Sequence, residues 1–334
     1  MNALLILTVV FVVLTLIGVP LFASVGLTTM LALFLIDIPY TLMAQTGYSS
    51  LTPFPLLTIP LFVLAGRLME TGGMANRMIG IATKLVGAYR GSMGLVTVFA
   101  CMLFAALSGS GPATTAAIGS ATVPAMKRDG YDVPFAAAIT ASAGALGSLI
   151  PPSNLMIIYG LVSETSIPRL FLAGIVPGFI VTGLLMVTTY IIARRRNYGG
   201  DGDPFTWGPF LNAAWEGKWS IGAPVLILGG IYGGIFTPTE AAGVAVFYSL
   251  LVGLFIYREL TLRKIIEALR FTALLTGILI LITPTLAFGQ LTAFYDIPTA
   301  VQRGITSLTD NPLLVLLLIG VFYIFIGTFM ESLA

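Results

Sequence analysis

Histidine is absent from the 334 residues, and cysteine occurs once, at Cys101. The first absence excludes a His-ligated metal centre, a His-based catalytic triad and a two-His zinc protease. A single cysteine excludes an internal disulfide, so stability does not depend on the redox compartment. Charge is scarce too: 16 basic and 14 acidic residues make up 9% of the chain, against about 25% in a soluble domain. That is too little polar surface to cover a soluble globular enzyme. A net charge of +2 carries no nucleic-acid signal. The Gly-rich runs lack the Gly-Lys-Ser/Thr ending of a phosphate-binding loop, so energy must come from an ion gradient or another chain. What remains is 57% hydrophobic, with a mean hydropathy of +1.00. The expectation is an all-α integral membrane protein.

A spanning helix needs roughly 20 mainly apolar residues. Runs of this kind cover Leu4–Ile36, Phe54–Met69, Met93–Leu107, Pro112–Met126, Phe135–Leu161, Leu170–Ala193, Ile221–Phe236, Ala241–Tyr257, Phe271–Ala293 and Pro312–Met330. The N-terminal run has no basic n-region and continues past Pro20, so it reads as a retained membrane segment. It is too long for one straight span, and Gly18-Val19-Pro20 is where it should break.

The few charges orient the spans. If Met93–Met126 is a hairpin that enters and leaves on one side, Arg90, Lys127 and Arg128 share that side. Counting onward, so do Arg194, Arg195, Arg196, Arg258, Arg263, Lys264 and Arg270. With Arg67, Arg77, Lys84 and Lys218, 14 of the 16 basic residues lie together, and only Arg169 and Arg303 are opposite. By the positive-inside rule the shared side is the cytoplasm, which puts the N-terminus outside. Asn197–Trp219 then reads as a cytoplasmic linker, and Glu259–Leu269 as a short basic amphipathic stretch in the interface.

A shift of 224 places Pro60 on Pro284 and Ser108 on Ser332, with similar apolar patterns around each. The first hairpin would enter from the cytoplasm and the segment at Pro312 from outside. That is the pattern of an inverted repeat, common in secondary transporters. The chain stops at Ala334, near the expected tip of the second hairpin. A helix ending deep in a bilayer leaves carbonyls unpaired, so the second repeat reads as cut short.

Three segments could carry chemistry. Ser108-Gly109-Ser110-Gly111-Pro112, followed by Thr114, is a tip between two apolar runs. Glycines permit a tight turn and Pro112 suits the first turn of a new helix. Hydroxyls and free carbonyls there suit a hard cation such as Na⁺, and the free amides of the following helix suit a carboxylate. Helix packing by small residues is the competing reading. Gly144-Ala-Leu-Gly147-Ser148-Leu-Ile-Pro151-Pro152-Ser153-Asn154 places a double proline in mid-span. It removes two donors and frees carbonyls, either as a plain kink or as a discontinuous helix at a binding site. Thr237-Pro238-Thr239-Glu240 puts an acid in an apolar region. It fits a capping box, with Thr237 as N-cap and Glu240 at N3, and a site carboxylate is the competing reading. Glu331 beside Ser332 has a similar position at the second tip. Arg67 and Glu70 should pair at the interface, Arg194–Arg196 should anchor topology, and Cys101 should be core.

These motifs, with Ile157-Ile-Tyr-Gly160, Leu170-Phe-Leu-Ala-Gly-Ile-Val-Pro-Gly178 and Gly229-Gly-Ile-Tyr-Gly-Gly-Ile-Phe-Thr-Pro-Thr-Glu-Ala-Ala242, closely resemble the large membrane subunit of tripartite ATP-independent periplasmic (TRAP) transporters. The resemblance runs over essentially the whole chain. It implies an inverted-repeat, elevator-type secondary transporter with re-entrant hairpins and broken helices. It implies Na⁺-coupled import of an organic acid (a C4-dicarboxylate, sialic acid or another sugar acid) across the bacterial inner membrane. A small four-helix membrane subunit and a periplasmic substrate-binding protein would be its partners, with Na⁺ as coupling ion and no other cofactor. Carried over by position, Ser108, Gly109, Ser110, Gly147, Pro151 and Ser153 would bind the ion, with Ser108 and Ser110 as its hydroxyl ligands. Gly111, Thr114, Pro152, Asn154, Thr237 and Glu240 would face substrate. The family's second hairpin return and second Pro-Pro helix are not in this sequence. In that frame 1–92 holds scaffold helices of the first repeat, and 93–163 its transport elements (hairpin 93–127, broken helix 134–163). A crossing helix follows at 164–196, the linker at 197–219, second-repeat scaffold at 220–308, and the start of a second hairpin at 309–334. A Na⁺/dicarboxylate symporter needing no binding protein, an intramembrane enzyme and a channel subunit are the competing functions.

Overall fold

The computed structural model describes residues 3–87, 91–199, 205–278, 282–309 and 311–329. Every described element is helical. The chain forms two compact units, one from Met1–Pro53 with Leu275–Ala334, the other Phe54–Leu274.

In the first unit, α1 (Ala3–Leu16) and α2 (Leu21–Leu35) are separated where the sequence predicts. Gly18 takes a left-handed φ of +86° and Pro20 caps α2. A residue without an amide hydrogen suits the start of a helix and cannot continue the preceding one. α3 (Thr41–Leu51) follows. The other helices of this unit come from late in the chain and are described after the second unit.

The second unit starts with a 3₁₀ turn, Phe54–Leu57, running into α4 (Thr58–Thr71). Then come α5 (Met74–Val86), α6 (Ser92–Ser108), α7 (Gly111–Arg128), α8 (Val133–Gly144), α9 (Leu146–Leu149), α10 (Asn154–Val162) and α11 (Ile167–Arg195). α12 (Trp207–Glu216), α13 (Lys218–Tyr232) and α14 (Pro238–Leu251) follow, with α14 ending in a π turn at Val252–Ile256, then α15 (Leu262–Ile278). α6 is the hub, packed by α5, α7, α8, α9 and α11. Phe104, Leu107 and Cys101 on it are fully enclosed, so the lone cysteine is core. Close packing is set by small residues: a side chain on Gly94 would strike Thr189, and one on Gly119 would strike Thr140.

Three described helices are long and apolar enough to cross a membrane: Phe54–Thr71, Ile167–Arg195 and Pro238–Ile256. Val133–Leu149 with Asn154–Val162 qualifies as a pair bent by 44°. The basic ends of α7 and α11 lie together, as the charge pattern requires. Arg196 donates to Asp132 at 2.7 Å, Tyr198 donates to the same carboxylate, and the Gly199 amide donates to the Asp129 carbonyl at 3.0 Å. Tyr131 stacks on Tyr198 at 4.6 Å, and burial pushes its phenol up to about 12. Arg67 and Glu70 pair at 2.6 Å. The amphipathic stretch Glu259–Leu269 is for the most part the start of a longer helix. α15 carries it unbroken into the next apolar run, because no proline or glycine interrupts 262–276.

Back in the first unit, α16 (Ile282–Phe294) packs on α2 and α3, seating Pro284 against Gly26. Thr46 donates to Gln290 at 2.8 Å. α17 (Ile297–Leu308) and α18 (Pro312–Phe329) complete the unit. Arg90, Glu331, Ser332 and Ala334 lie outside the described residues.

Candidate functional site

The hairpin and the broken helix meet at their interruptions. α6 ends at Ser108 and Gly109 turns the chain with φ +60°, its amide donating back to Ala105 at 3.2 Å. Ser110 is extended and caps α7, its hydroxyl accepting from the Ala113 amide at 3.4 Å. Opposite, α9 ends at Leu149, Ile150–Ser153 runs non-helically through both prolines, and Ser153 caps α10. Its hydroxyl donates to the Ser148 carbonyl at 2.6 Å and accepts from the Met156 amide at 3.5 Å. Serine is a preferred N-cap because its oxygen satisfies an orphan amide.

One backbone bond joins the two breaks: the Asn154 amide donates to the Gly109 carbonyl at 3.0 Å. Glycines make the approach possible. A Cβ on Gly109 would stand 2.7 Å from the Pro152 carbonyl oxygen. One on Gly147 would stand 2.5 Å from the Ser110 carbonyl oxygen and would also strike the Thr114 hydroxyl. Ser108 and Thr114 share a hydroxyl bond of 2.6 Å, and Ser108 also donates to the Ser110 carbonyl at 3.3 Å. Ser108, Thr114, Ser153 and Asn154 are all buried.

Two helix N-termini, α7 and α10, and two helix C-termini, α6 and α9, therefore converge on one spot. N-termini carry positive partial charge and free amides; C-termini carry negative partial charge and free carbonyls. Groups of both signs are thus presented at one place without a titrating side chain. One atom is left over: Asn154 Oδ1 is enclosed and has no hydrogen-bond partner, though Asn154 itself is only 7% exposed. A buried amide oxygen without a partner costs about 1–3 kcal/mol, which a ligand would recover.

Of the sequence-predicted residues, Ser108, Gly109, Ser110, Gly111, Thr114, Gly147, Pro151, Pro152, Ser153 and Asn154 are brought together. Gly111 sits beside Ser148, where a Cβ would lie 3.0 Å from its hydroxyl. Thr237 and Glu240 are arranged otherwise. Both are exposed, and they form a complete capping box at the start of α14. Glu240 accepts from the Thr237 amide and hydroxyl at 2.8 Å each, and the Glu240 amide donates to Thr237 Oγ1 at 3.3 Å. The neighbour between them connects inward: Thr239 bonds Thr58 at 2.6 Å, both buried. Two turns along α4 from Thr58, Gly66 lies against Ser108, where a Cβ would be 3.0 Å from its α-carbon.

Sequence reading gave Thr58 and Gly66 no role and quoted Leu170–Gly178 as a family motif without assigning its glycines to the break. Gly174 and Gly178 on α11 face it: side chains there would meet the Leu149 carbonyl at 2.6 Å and Ile150 at 2.7 Å. Their i, i+4 spacing is the small-residue signal of helix packing and could have located them. Gly66 and Thr58 carry no comparable signal.

The family model described as the DctM component of tripartite ATP-independent periplasmic transporters matches residues 8–334. The isethionate TRAP transporter permease protein DctMQ of Oleidesulfovibrio alaskensis is 41% identical over 329 residues, which is 97% of this chain and 51% of that protein. The C4-dicarboxylate TRAP transporter large permease protein DctM of Pseudomonas aeruginosa is 42% identical over 279 residues, 83% of this chain and 65% of that one. The sialic acid TRAP transporter large permease protein SiaM of Vibrio cholerae is 39% identical over 292 residues, 87% and 68% respectively. The chain thus spans between about half and about two thirds of these relatives' lengths. With a match this extensive, joined to the interlocked hairpin and broken helix, the chain belongs to the DctM family of large permease components of TRAP transporters.

Proposed function

We propose that the chain provides the permease part of a Na⁺-coupled importer of small organic-acid anions in the bacterial inner membrane. The observation that carries this reading is the Asn154–Gly109 bond, which ties two interrupted helices into one site of hydroxyls, carbonyls and helix ends. In our reading Na⁺ sits among Ser108, Gly109, Ser110, Gly147, Pro151 and Ser153. The substrate anion faces Gly111, Thr114, Pro152 and Asn154, toward the N-termini of α7 and α10. We keep Thr237 and Glu240 as a helix-start support whose route to the site runs through Thr239, Thr58 and α4. Relatives carry the names of isethionate, C4-dicarboxylate, sialic acid and 2,3-diketo-L-gulonate transporters. Their common chemistry is a small organic anion, which is the class we assign here.

The transport motion we infer is an elevator in which the hairpin and the broken helix travel together. Their glycine-to-backbone contacts support movement as one body. An inverted repeat is supported by a parallel order of elements. Pro60 and Pro284 are each the third residue of their helix, α4 and α16, and each helix is followed by a shorter helix and then an apolar one. As partners we assign a small four-helix membrane subunit and a periplasmic binding protein. Family membership disfavours both a symporter working without a binding protein and an intramembrane enzyme.

Uptake by the reconstituted transporter, with a Na⁺ gradient and purified binding protein, tests the proposal. Ser110→Ala and Pro152→Ala should each reduce Na⁺-driven uptake while leaving folding intact. Wild-type uptake by both variants would remove the site from the proposal. Equal uptake without the binding protein would restore the simple symporter.

A further inference from the structure

All three tryptophans of the chain fall at Trp207, Trp215 and Trp219, on or just after α12. α12 has two apolar faces. The inner one is Phe210, Ala213, Ala214 and Gly217, which pack toward α5; a Cβ on Gly217 would stand 2.5 Å from Ile81. The outer one repeats every four residues: Trp207, Leu211 and Trp215 are 68%, 58% and 70% exposed. Among the described residues of this unit, Phe205 and Phe210 touch the stripe at the Trp207 ring (5.1 and 6.2 Å) and leave it exposed. Polar residues lie beside it, among them Asn212, and Lys218 rests its ammonium 3.5 Å from the Trp215 ring. The corner after α12 is fastened to the protein. The Tyr248 hydroxyl donates to the Trp219 carbonyl at 2.7 Å, and that of Tyr257 to the Glu216 carbonyl at 3.3 Å.

We propose that α12 is a membrane-surface anchor, with its Trp207–Leu211–Trp215 stripe seated at the headgroup level of the bilayer. A helix of 10 residues rises only about 15 Å, half of the roughly 30 Å hydrocarbon core, so it cannot span. Tryptophan, apolar in body with one N–H to satisfy, prefers this level, and the Lys218 ammonium on the Trp215 ring adds a cation at the same boundary. The preceding crossing helix ends in Arg194-Arg195-Arg196, which favours the same boundary. The segment that composition marks as a solvated linker therefore holds the start of α13 at a fixed depth.

Because the tryptophans are confined to this segment, native tryptophan emission of the intact chain reports on it alone. The chain is reconstituted in nanodiscs containing lipids brominated near the headgroup end or near the terminus of the acyl chain, and separately titrated with aqueous iodide. Variants keeping Trp207 or Trp215 alone, the others changed to phenylalanine, give each position. The shallow bromolipid should lower emission roughly twofold or more, because such a helix buries its apolar face about 5–10 Å into the boundary. Iodide should quench weakly. Strong iodide quenching without bromolipid quenching would make the segment a solvated linker and overturn the anchor. Stronger quenching by the deep bromolipid would place it inside the membrane. Protection from all three quenchers would make the stripe a protein interface. Either of these last results also overturns the proposal.

Discussion

Gly109→Ala puts the joining of the two interrupted helices to its strictest test. Gly109 has φ +60°, a left-handed conformation that costs a residue with a side chain about 1–2 kcal/mol. The new methyl would sit 2.7 Å from the Pro152 carbonyl oxygen. That oxygen is backbone and cannot swing aside, so the hairpin tip and the Pro-Pro segment must separate by several tenths of an ångström. Overpacking of this kind costs about 1–3 kcal/mol. The Asn154–Gly109 bond, now 3.0 Å, stretches in the same movement. The combined loss is roughly 2–5 kcal/mol. Gly183→Ala is the matched control: the same chemical change on the exposed face of α11, with nothing within 4 Å of the new methyl. Thermal unfolding in nanodiscs, at low and high Na⁺, reads both. The Gly109 variant should unfold several degrees lower and lose its Na⁺-dependent stabilisation, which for a one-site ligand follows RT ln(1 + [L]/Kd). The control should match the parent or unfold slightly higher, because alanine is the better helix former, and should keep the parent's Na⁺ response. If both variants unfolded and responded to Na⁺ like the parent, the tight junction of tip and break would not exist as described.

Three further outcomes follow from other contacts. Thr239→Val should cost about 1–3 kcal/mol by stranding the buried Thr58 hydroxyl, and adding Thr58→Val should restore most of it; unfolding of the singles and the double in a mutant cycle checks this. Asn154→Leu removes an enclosed oxygen that has no partner, so stability without ligand should hold or rise while stabilisation by Na⁺ and substrate is lost. A drop in ligand-free stability would mean that the oxygen serves the fold. Glu240→Gln keeps a side chain able to complete the capping box, so uptake should be near normal, whereas Thr237→Ala should lower stability. A collapse of uptake in Glu240→Gln with normal stability would return the carboxylate to the substrate site.

Much of the candidate site is legible in the sequence because its constraints are local. Ser-Gly-Ser-Gly-Pro between apolar runs favours a turn followed by a new helix, since its glycines permit the turn and its proline suits a first helical turn. Pro151-Pro152 removes two amides in succession, so the helix breaks there whatever surrounds it. The same local reasoning places the break at Gly18–Pro20. At Glu259–Leu269 the pattern reads as an interfacial amphipathic stretch, and the structure adds that uninterrupted helix-forming residues carry α15 onward from it.

Glu240 shows the limit of composition. An acid after Thr-Pro-Thr in an apolar run reads as a cap with a site group as the alternative, and only geometry could supply two 2.8 Å bonds to Thr237. Thr239, at the next position, reads as nothing at all, yet its hydroxyl meets Thr58 from far along the chain. The linker shows the same limit from the other side. Its polar stretch marks it as solvated, while the outward stripe of α12 becomes visible only once α5 is seen to occupy the inner face.

The sequence by itself determined the solvent, the class and the positions of the breaks, because hydropathy, charge side and proline chemistry act on the residue that carries them. The tertiary structure alone decided which breaks share a site. That depends on Gly147, Gly109, Gly66, Gly174 and Gly178 lacking side chains where another backbone must pass. The sequence shows only that a side chain is missing; what occupies its place belongs to the fold.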